Sequence, residues 1–207
     1  MPRPRDLAQR ISRYQPILVD GEDRVRAAVA VVLRGQDDQA EVLFIERASR
    51  TGDPWSGHMA FTGGRLERDE RDPRSAAERE TSEEVGLDLS GAEPLGRLDD
   101  LHGRRTSGVP ALVISGFVYH LADVPPLRPN HEVSAAFWFP LEALHDDARQ
   151  VAYALPVAGE LPFPGIRVGD AEPHVVWGLT YRFLEGFFAA VGRPLPDRWG
   201  GLREFAP

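Results

Sequence analysis

The run Gly63-Gly64-Arg65-Leu66-Glu67-Arg68-Asp69-Glu70, followed after a loop by Arg79-Glu80-Thr81-Ser82-Glu83-Glu84-Val85-Gly86-Leu87, decides how the rest of the chain is read. A turn-forming glycine pair leads into an acidic helix that stops at Gly86. Glu80, Glu83 and Glu84 stand at i, i+3 and i+4, so their carboxylates project from one helical face. They crowd the last turns, where the helix dipole disfavours negative charge. Neither feature stabilises a helix. A hard divalent cation with oxygen ligands would offset both; a merely solvated acidic face is the bland alternative.

Working outward, Asp72 and Pro73 supply an N-cap and a first-turn proline, which predicts the helix over Pro73 to Val85. Upstream, residues 5–13 suit a short amphipathic helix that ends near Pro16. Val25 to Leu33 reads as a largely buried strand, with Glu41 to Ile45 as its hairpin partner. His58 to Thr62 is expected to be a short strand running into the glycine pair. Downstream, strands are expected over Ala92 to Leu98, Ala111 to His120 and Glu132 to Phe139, the last leading into a short helix from Leu141 to His145. Gly159 to Gly169 suggests a hairpin or a covering loop, and His174 to Val191 a second amphipathic helix. The irregular alternation favours a mixed sheet between helices over a doubly wound parallel fold.

Composition narrows the chemistry. The 207 residues suit one domain, with an N-terminal extension over about 1–20 and a C-terminal helix and tail over about 170–207. A net charge of −8 argues against a nucleic-acid binder, which needs a basic footprint. With no cysteine, thiolate zinc sites and cysteine nucleophiles are excluded. All 24 basic residues are arginine, which excludes a Schiff-base lysine and the phosphate-loop lysine of nucleotide-triphosphate motors. No run is long and apolar enough to cross a membrane as a helix, and the first residues lack the apolar core of a signal peptide. The expectation is a soluble, cytoplasmic protein.

The spacing of Gly64, Glu70, Arg79, Glu80, Glu83, Glu84, Gly86 and Leu87 resembles the Nudix box, G-x5-E-x7-R-E-U-x-E-E-x-G-U with U aliphatic. Two departures are visible. One residue is inserted between Glu70 and Arg79, and Thr81 fills the aliphatic position. The resemblance implies a Nudix-type α/β/α sandwich with a mixed β-sheet, and a hydrolase that cleaves diphosphate linkages. It implies Glu80, Glu83 and Glu84 as ligands of Mg²⁺ or Mn²⁺, completed by a backbone carbonyl of the glycine turn, assigned to Gly64. Arg79 would orient the glutamates, with Glu70 in support. Catalytic roles fall to Glu83, Glu84, Arg79 and Glu132, a glutamate that opens a predicted strand and is otherwise an ordinary edge acid.

Gly57-His58-Met59-Ala60-Phe61-Thr62-Gly63-Gly64 resembles the G-x3-F-P-G-G segment of the coenzyme A diphosphatase branch, whose box also tends to carry the inserted residue. Arg47-Ala48 matches the pair that precedes that segment, and Val176-Trp177-Gly178-Leu179-Thr180 its C-terminal Trp-Gly segment. Thr62 replaces the proline, and Asp53 stands where an arginine is expected. Arg47, Trp55, Gly63 and Arg105 are the candidate substrate contacts. Trp55 would stack on a base or anchor its loop; His58 reads as packed and His131 as an exposed loop histidine. The implied partner is a small nucleoside diphosphate derivative, with coenzyme A derivatives ahead of ADP-ribose, nucleotide sugars and dinucleotides. A homodimer is in keeping with many Nudix enzymes. A non-catalytic nucleotide sensor of the same fold is the alternative of another class, disfavoured because all three helix glutamates are retained.

Overall fold

In Val25–Arg34 the apolar residues do not alternate with polar ones, so a strand made from it must be covered on both faces. The structure, a computed structural model, describes residues 4–20, 24–35, 39–52, 55–103, 112–154, 162–169 and 174–196. Val25–Arg34 forms β1, the centre of an eight-stranded mixed sheet. On one face, Ala28, Ala30 and Val32 pack with Ala76, Ala77 and Val85 of helix α2 (Pro73–Val85). On the other, Val31 and Leu33 pack with Leu7 and Ile11 of α1 (Pro4–Arg13) and with Phe183, Leu184, Phe187 and Phe188 of α3 (Gly178–Ala190). This is an α/β/α sandwich. Phe187 and Phe188 are fully buried; each such ring contributes about 1.5–3 kcal/mol, enough to fix α3 on the sheet. Arg10 adds a hydrogen bond across that layer, from Nη1 to the Val191 carbonyl at 2.9 Å.

The remaining strands of this sheet are β2 (Glu41–Arg47), β3 (Met59–Ala60), β4 (Thr62–Arg65), β5 (Glu93–Arg97), β6 (Leu101–His102), β7 (Leu112–Leu121) and β8 (Val133–Pro140). β1 runs parallel to β7 over its whole length, and the other pairings are antiparallel. The expected β1–β2 hairpin exists, but its ladder holds only Leu33↔Val42 and Arg34↔Glu41. Nearer the start of β1, β4 takes the same edge, with Ala30↔Thr62, Val29↔Gly63 and Ala28↔Gly64. β2 then pairs along its length with β8.

Two expectations need correction. Gly63-Gly64 is strand, not turn. Gly63 has φ 153°, and a Cβ there would lie 2.2 Å from the Ala28 carbonyl oxygen, so glycine serves close strand contact instead of chain reversal. The second expectation was one helix from His174 to Val191. Instead His174–Trp177 is a strand, β11, and α3 begins at Gly178 with φ 60°. The apolar pair Val175-Val176 fits either period, and a hydrogen-bonded neighbour decides it: β11 pairs with β10 (Phe163–Val168), itself paired with β9 (Gln150–Tyr153) in a second, three-stranded sheet. Among the described residues no helix is long and apolar enough to cross a membrane.

Candidate active site

Helix α2 carries the candidate glutamates, and its sequence explains where it sits. Its buried residues are Ala76, Ala77, Thr81, Glu84 and Val85. Two small alanines let the helix lie close to the sheet, which drives the next residues on that face, Thr81 and Glu84, into protein. Asp72 caps the start, accepting from the Arg74 N–H at 3.0 Å. At the other end Gly86 adopts the left-handed conformation, φ 72°, and its N–H donates to the Ser82 carbonyl. Two carbonyls left open by the helix, those of Val85 and Glu84, accept from the N–H groups of Arg128 and Asn130 at 2.8 and 2.9 Å. The helix end is thereby stitched to the segment that delivers Glu132.

Arg79 organises the carboxylates. Its guanidinium forks onto Glu70, Nε to Oε1 at 3.1 Å and Nη2 to Oε2 at 3.3 Å. Nη1 faces Glu80 Oε1 at 3.0 Å and Glu83 Oε2 at 3.2 Å, and Nη2 also donates to the Arg65 carbonyl. Glu70 and Arg79 are thus ion-paired across the loop that carries the inserted residue. The fork draws the Glu70 carboxyl below its ordinary pKa.

Glu84 is the contrast. It is 3 % exposed, and its Oε2 accepts a hydrogen bond from the Gly63 N–H at 3.0 Å. Burial is the main cause that pushes its carboxyl up to about 8; the charges of Glu80 and Glu132 add to it, while the Gly63 N–H and Arg47 oppose it. Glu80 is raised too, by burial first, with Arg79 opposing and Glu83 and Glu132 reinforcing. Gly64 lies directly under Glu80: a Cβ on it would stand 2.2 Å from Glu80 Oε1.

Glu132 stands one residue before β8. Arg50 Nη2 donates to its Oε1 at 2.7 Å, its carbonyl accepts from Ala48, and its N–H donates to Asn130 Oδ1. Its side chain is 41 % exposed. Its effect on Glu80 and Glu84 puts it in the same electrostatic neighbourhood. Arg47 joins this group through Glu84, and its backbone holds the Gly57-His58 segment by two hydrogen bonds. Trp55 is brought elsewhere. Half exposed, it meets His58 edge-on, and His58 meets Trp177, on which Tyr153 stacks. The rings of His58, Tyr153 and Trp177, with Glu46 and His174, border a cavity of about 200 Å³. His58 is packed as expected, and His131 is exposed. Arg105 and Asp53 lie outside the described residues.

The donors available at α2 are carboxylates and backbone oxygens, a set that suits Mg²⁺ or Mn²⁺ and not a soft metal. Among the described residues no three His, Asp or Glu side chains converge on one point as they stand. Arg79 instead bridges Glu80 and Glu83. The residues fit a cation that would share these two carboxylates and compensate the buried Glu84. Sequence reasoning missed Arg50, whose partner becomes visible only when β2 and β8 pair. It also missed the hydrogen bond between Thr62 and Thr81, although Thr81 had stood out as a departure from the box and Thr62 as one from the branch segment.

A sequence model of the NUDIX domain matches residues 24–156. The chain belongs to the Nudix family. This Nudix chain is 30 % identical over 163 residues to Nudix hydrolase 15, mitochondrial, of Arabidopsis thaliana, covering 77 % of this chain and 56 % of that protein. It is 32 % identical over 156 residues to the mitochondrial coenzyme A diphosphatase NUDT8 of Mus musculus, covering 74 % and 72 %. The Nudix chain spans about half the length of the first curated relatives it matches, 47 % for a Schizosaccharomyces pombe protein. Among solved structures, a MutT/nudix family protein from Enterococcus faecalis aligns with TM-score 0.53 at 18 % identity, over 84 % of this chain and 64 % of that one, a likeness of fold.

Proposed function

We propose that this protein hydrolyses a diphosphate linkage in a nucleoside diphosphate derivative with the help of a divalent cation, and that coenzyme A and its derivatives are its leading substrates. The observation that carries the reading is Glu84: a buried carboxyl beside Glu80 and Glu132, whose opposing groups, the Gly63 N–H and Arg47, do not outweigh its burial. Bound Mg²⁺ or Mn²⁺ would neutralise phosphate oxygens and acidify a water. Glu80, Glu83 and Glu84 would hold the cation, together with a backbone carbonyl at Gly64. Arg79, anchored by Glu70, fixes Glu80 and Glu83 in place. Glu132, more open than Glu84, accepts a proton from the attacking water. The water oxygen bonds to one phosphorus, and the bridging oxygen leaves with the other phosphate. Arg47 provides positive charge on the substrate side.

The coenzyme A preference is supported by the Gly57 to Gly64 segment and by the similarity to the mouse diphosphatase. Asp53, in place of an arginine, favours keeping ADP-ribose, nucleotide sugars and dinucleotides in the comparison. The test is a screen of coenzyme A, ADP-ribose, NADH, diadenosine polyphosphates and UDP-glucose with Mg²⁺ and Mn²⁺. Coenzyme A is expected to turn over fastest. Glu83→Gln and Glu84→Gln should each lower kcat by more than about a hundredfold with the fold retained, since losing a ligand exceeds the effect of losing an outer partner. Full activity in both would sink the metal-site reading. Tight binding without turnover of any compound would indicate a sensor.

A further inference from the structure

Thr62 and Thr81 are 1 % and 0 % exposed, and their hydroxyl oxygens are 2.7 Å apart. Thr81 Oγ1 also lies 2.7 Å from the Ala77 carbonyl and donates to it. Its single proton is thereby used, so Thr62 donates to Thr81. The order of donors is fixed: Thr62 to Thr81 to the helix backbone.

Three successive residues of β4 face α2 in this region. Thr62 meets Thr81, the Gly63 N–H meets Glu84, and Gly64 underlies Glu80. Thr81 sits between those two glutamates in sequence and on the buried side of the same helix. A hydrogen bond at Thr81 therefore sets how closely, and at what rotation, the glutamate-bearing turn meets the strand. Apolar packing of Ala76 and Ala77 alone would permit sliding; a bond between two short β-branched side chains, stiff at χ1, does not. Thr81 departs from the Nudix box, where an aliphatic residue is usual, and Thr62 from the branch segment, where proline is usual; in this chain the two are bonded to each other.

We propose that Thr62 and Thr81 are positioning residues, a hydroxyl clamp that holds Glu84 and Glu80 in register with the Gly63-Gly64 backbone for cation binding. This rests on the metal site proposed above. Valine at either position keeps the shape and removes one hydroxyl. Thr81→Val leaves the Thr62 donor buried without a partner, and Thr62→Val leaves Thr81 with only its helix bond. The double variant removes both hydroxyls.

The test is Mn²⁺ titration by calorimetry without substrate, run beside thermal melts and kcat. Glu84→Gln serves as a control. Each single valine variant is expected to weaken Mn²⁺ binding by about tenfold, in the range seen for outer partners of metal ligands, and to raise the Mn²⁺ needed for half-maximal rate in parallel. The double variant should lose no more than the worse single one, which marks the pair as one unit. If the variants melt earlier but bind Mn²⁺ as the parent does, the pair is structural only and the proposal falls. If Glu84→Gln itself leaves Mn²⁺ binding unchanged, the underlying metal site is wrong instead. Additive losses in the double variant would also overturn the clamp.

Discussion

Gly63 and Gly64 are adjacent, yet they are glycine for different reasons. At Gly63 a Cβ would press on backbone, 2.2 Å from the Ala28 oxygen and 2.7 Å from the Val29 Cα, at a positive φ. Nothing there can move without breaking the β1–β4 ladder. At Gly64 the obstacle is the end of a flexible side chain, the Glu80 carboxylate. Gly63→Ala should therefore destabilise the protein by about 3 kcal/mol or more, summing crowding and backbone strain. Gly64→Ala should fold nearly as well as the parent but push Glu80 aside, weakening cation binding. Urea denaturation with Mn²⁺ titration of both variants checks this. A Gly64→Ala protein as unstable as Gly63→Ala would contradict it. The sequence made the pair conspicuous, but its function as strand in place of turn depends on Ala28 and Val29, far upstream in the chain, which no local pattern reveals.

At the scale of elements, α2 was the most legible part of the chain. Asp72, Pro73 and Gly86 mark its ends through local chemistry, and the structure places both boundaries there. Removing the cap with Asp72→Ala should cost about 1 kcal/mol, a fall in Tm of roughly 2–4 °C, with no change in Mn²⁺ affinity because the glutamates lie at the opposite end. A loss of affinity without a change in Tm would show that the cap acts on the site. Other elements were less legible for stated reasons. Val175 and Val176 satisfy both periods, so the boundary between β11 and α3 depends on a ladder with β10. The β1–β2 hairpin was foreseen, but not that β4 would displace β2 along β1, because pairing competition is non-local. Glu80, Glu83 and Glu84 were found from spacing; the bond between Arg50 and Glu132, 82 residues apart, was not.

At the scale of the whole molecule, the sandwich buries a carboxyl that would be more stable in water, so folding and protonation are linked. Glu84 sits near 8 in the folded protein, against an ordinary value of 4.5. Below about pH 4.5 the group is protonated both folded and unfolded, and it costs nothing. Between about 4.5 and 8 the unfolded chain releases the proton while the folded one retains it, so stability falls as pH rises. Above 8 the loss is complete, on the order of a few kcal/mol. Glu80, raised in the same direction by burial, adds to the trend. A cation held as proposed would reverse it, because it would bind the ionised carboxylates and stabilise only the folded state. The expected result is that Tm of EDTA-treated protein declines from pH 5.5 to 8, while the Tm gain on adding Mn²⁺ grows over the same interval. Glu84→Gln should flatten both curves, since an amide neither titrates nor binds the ion well. Parallel melting curves with and without Mn²⁺ across that range would mean that the buried carboxyl is compensated by something other than a metal.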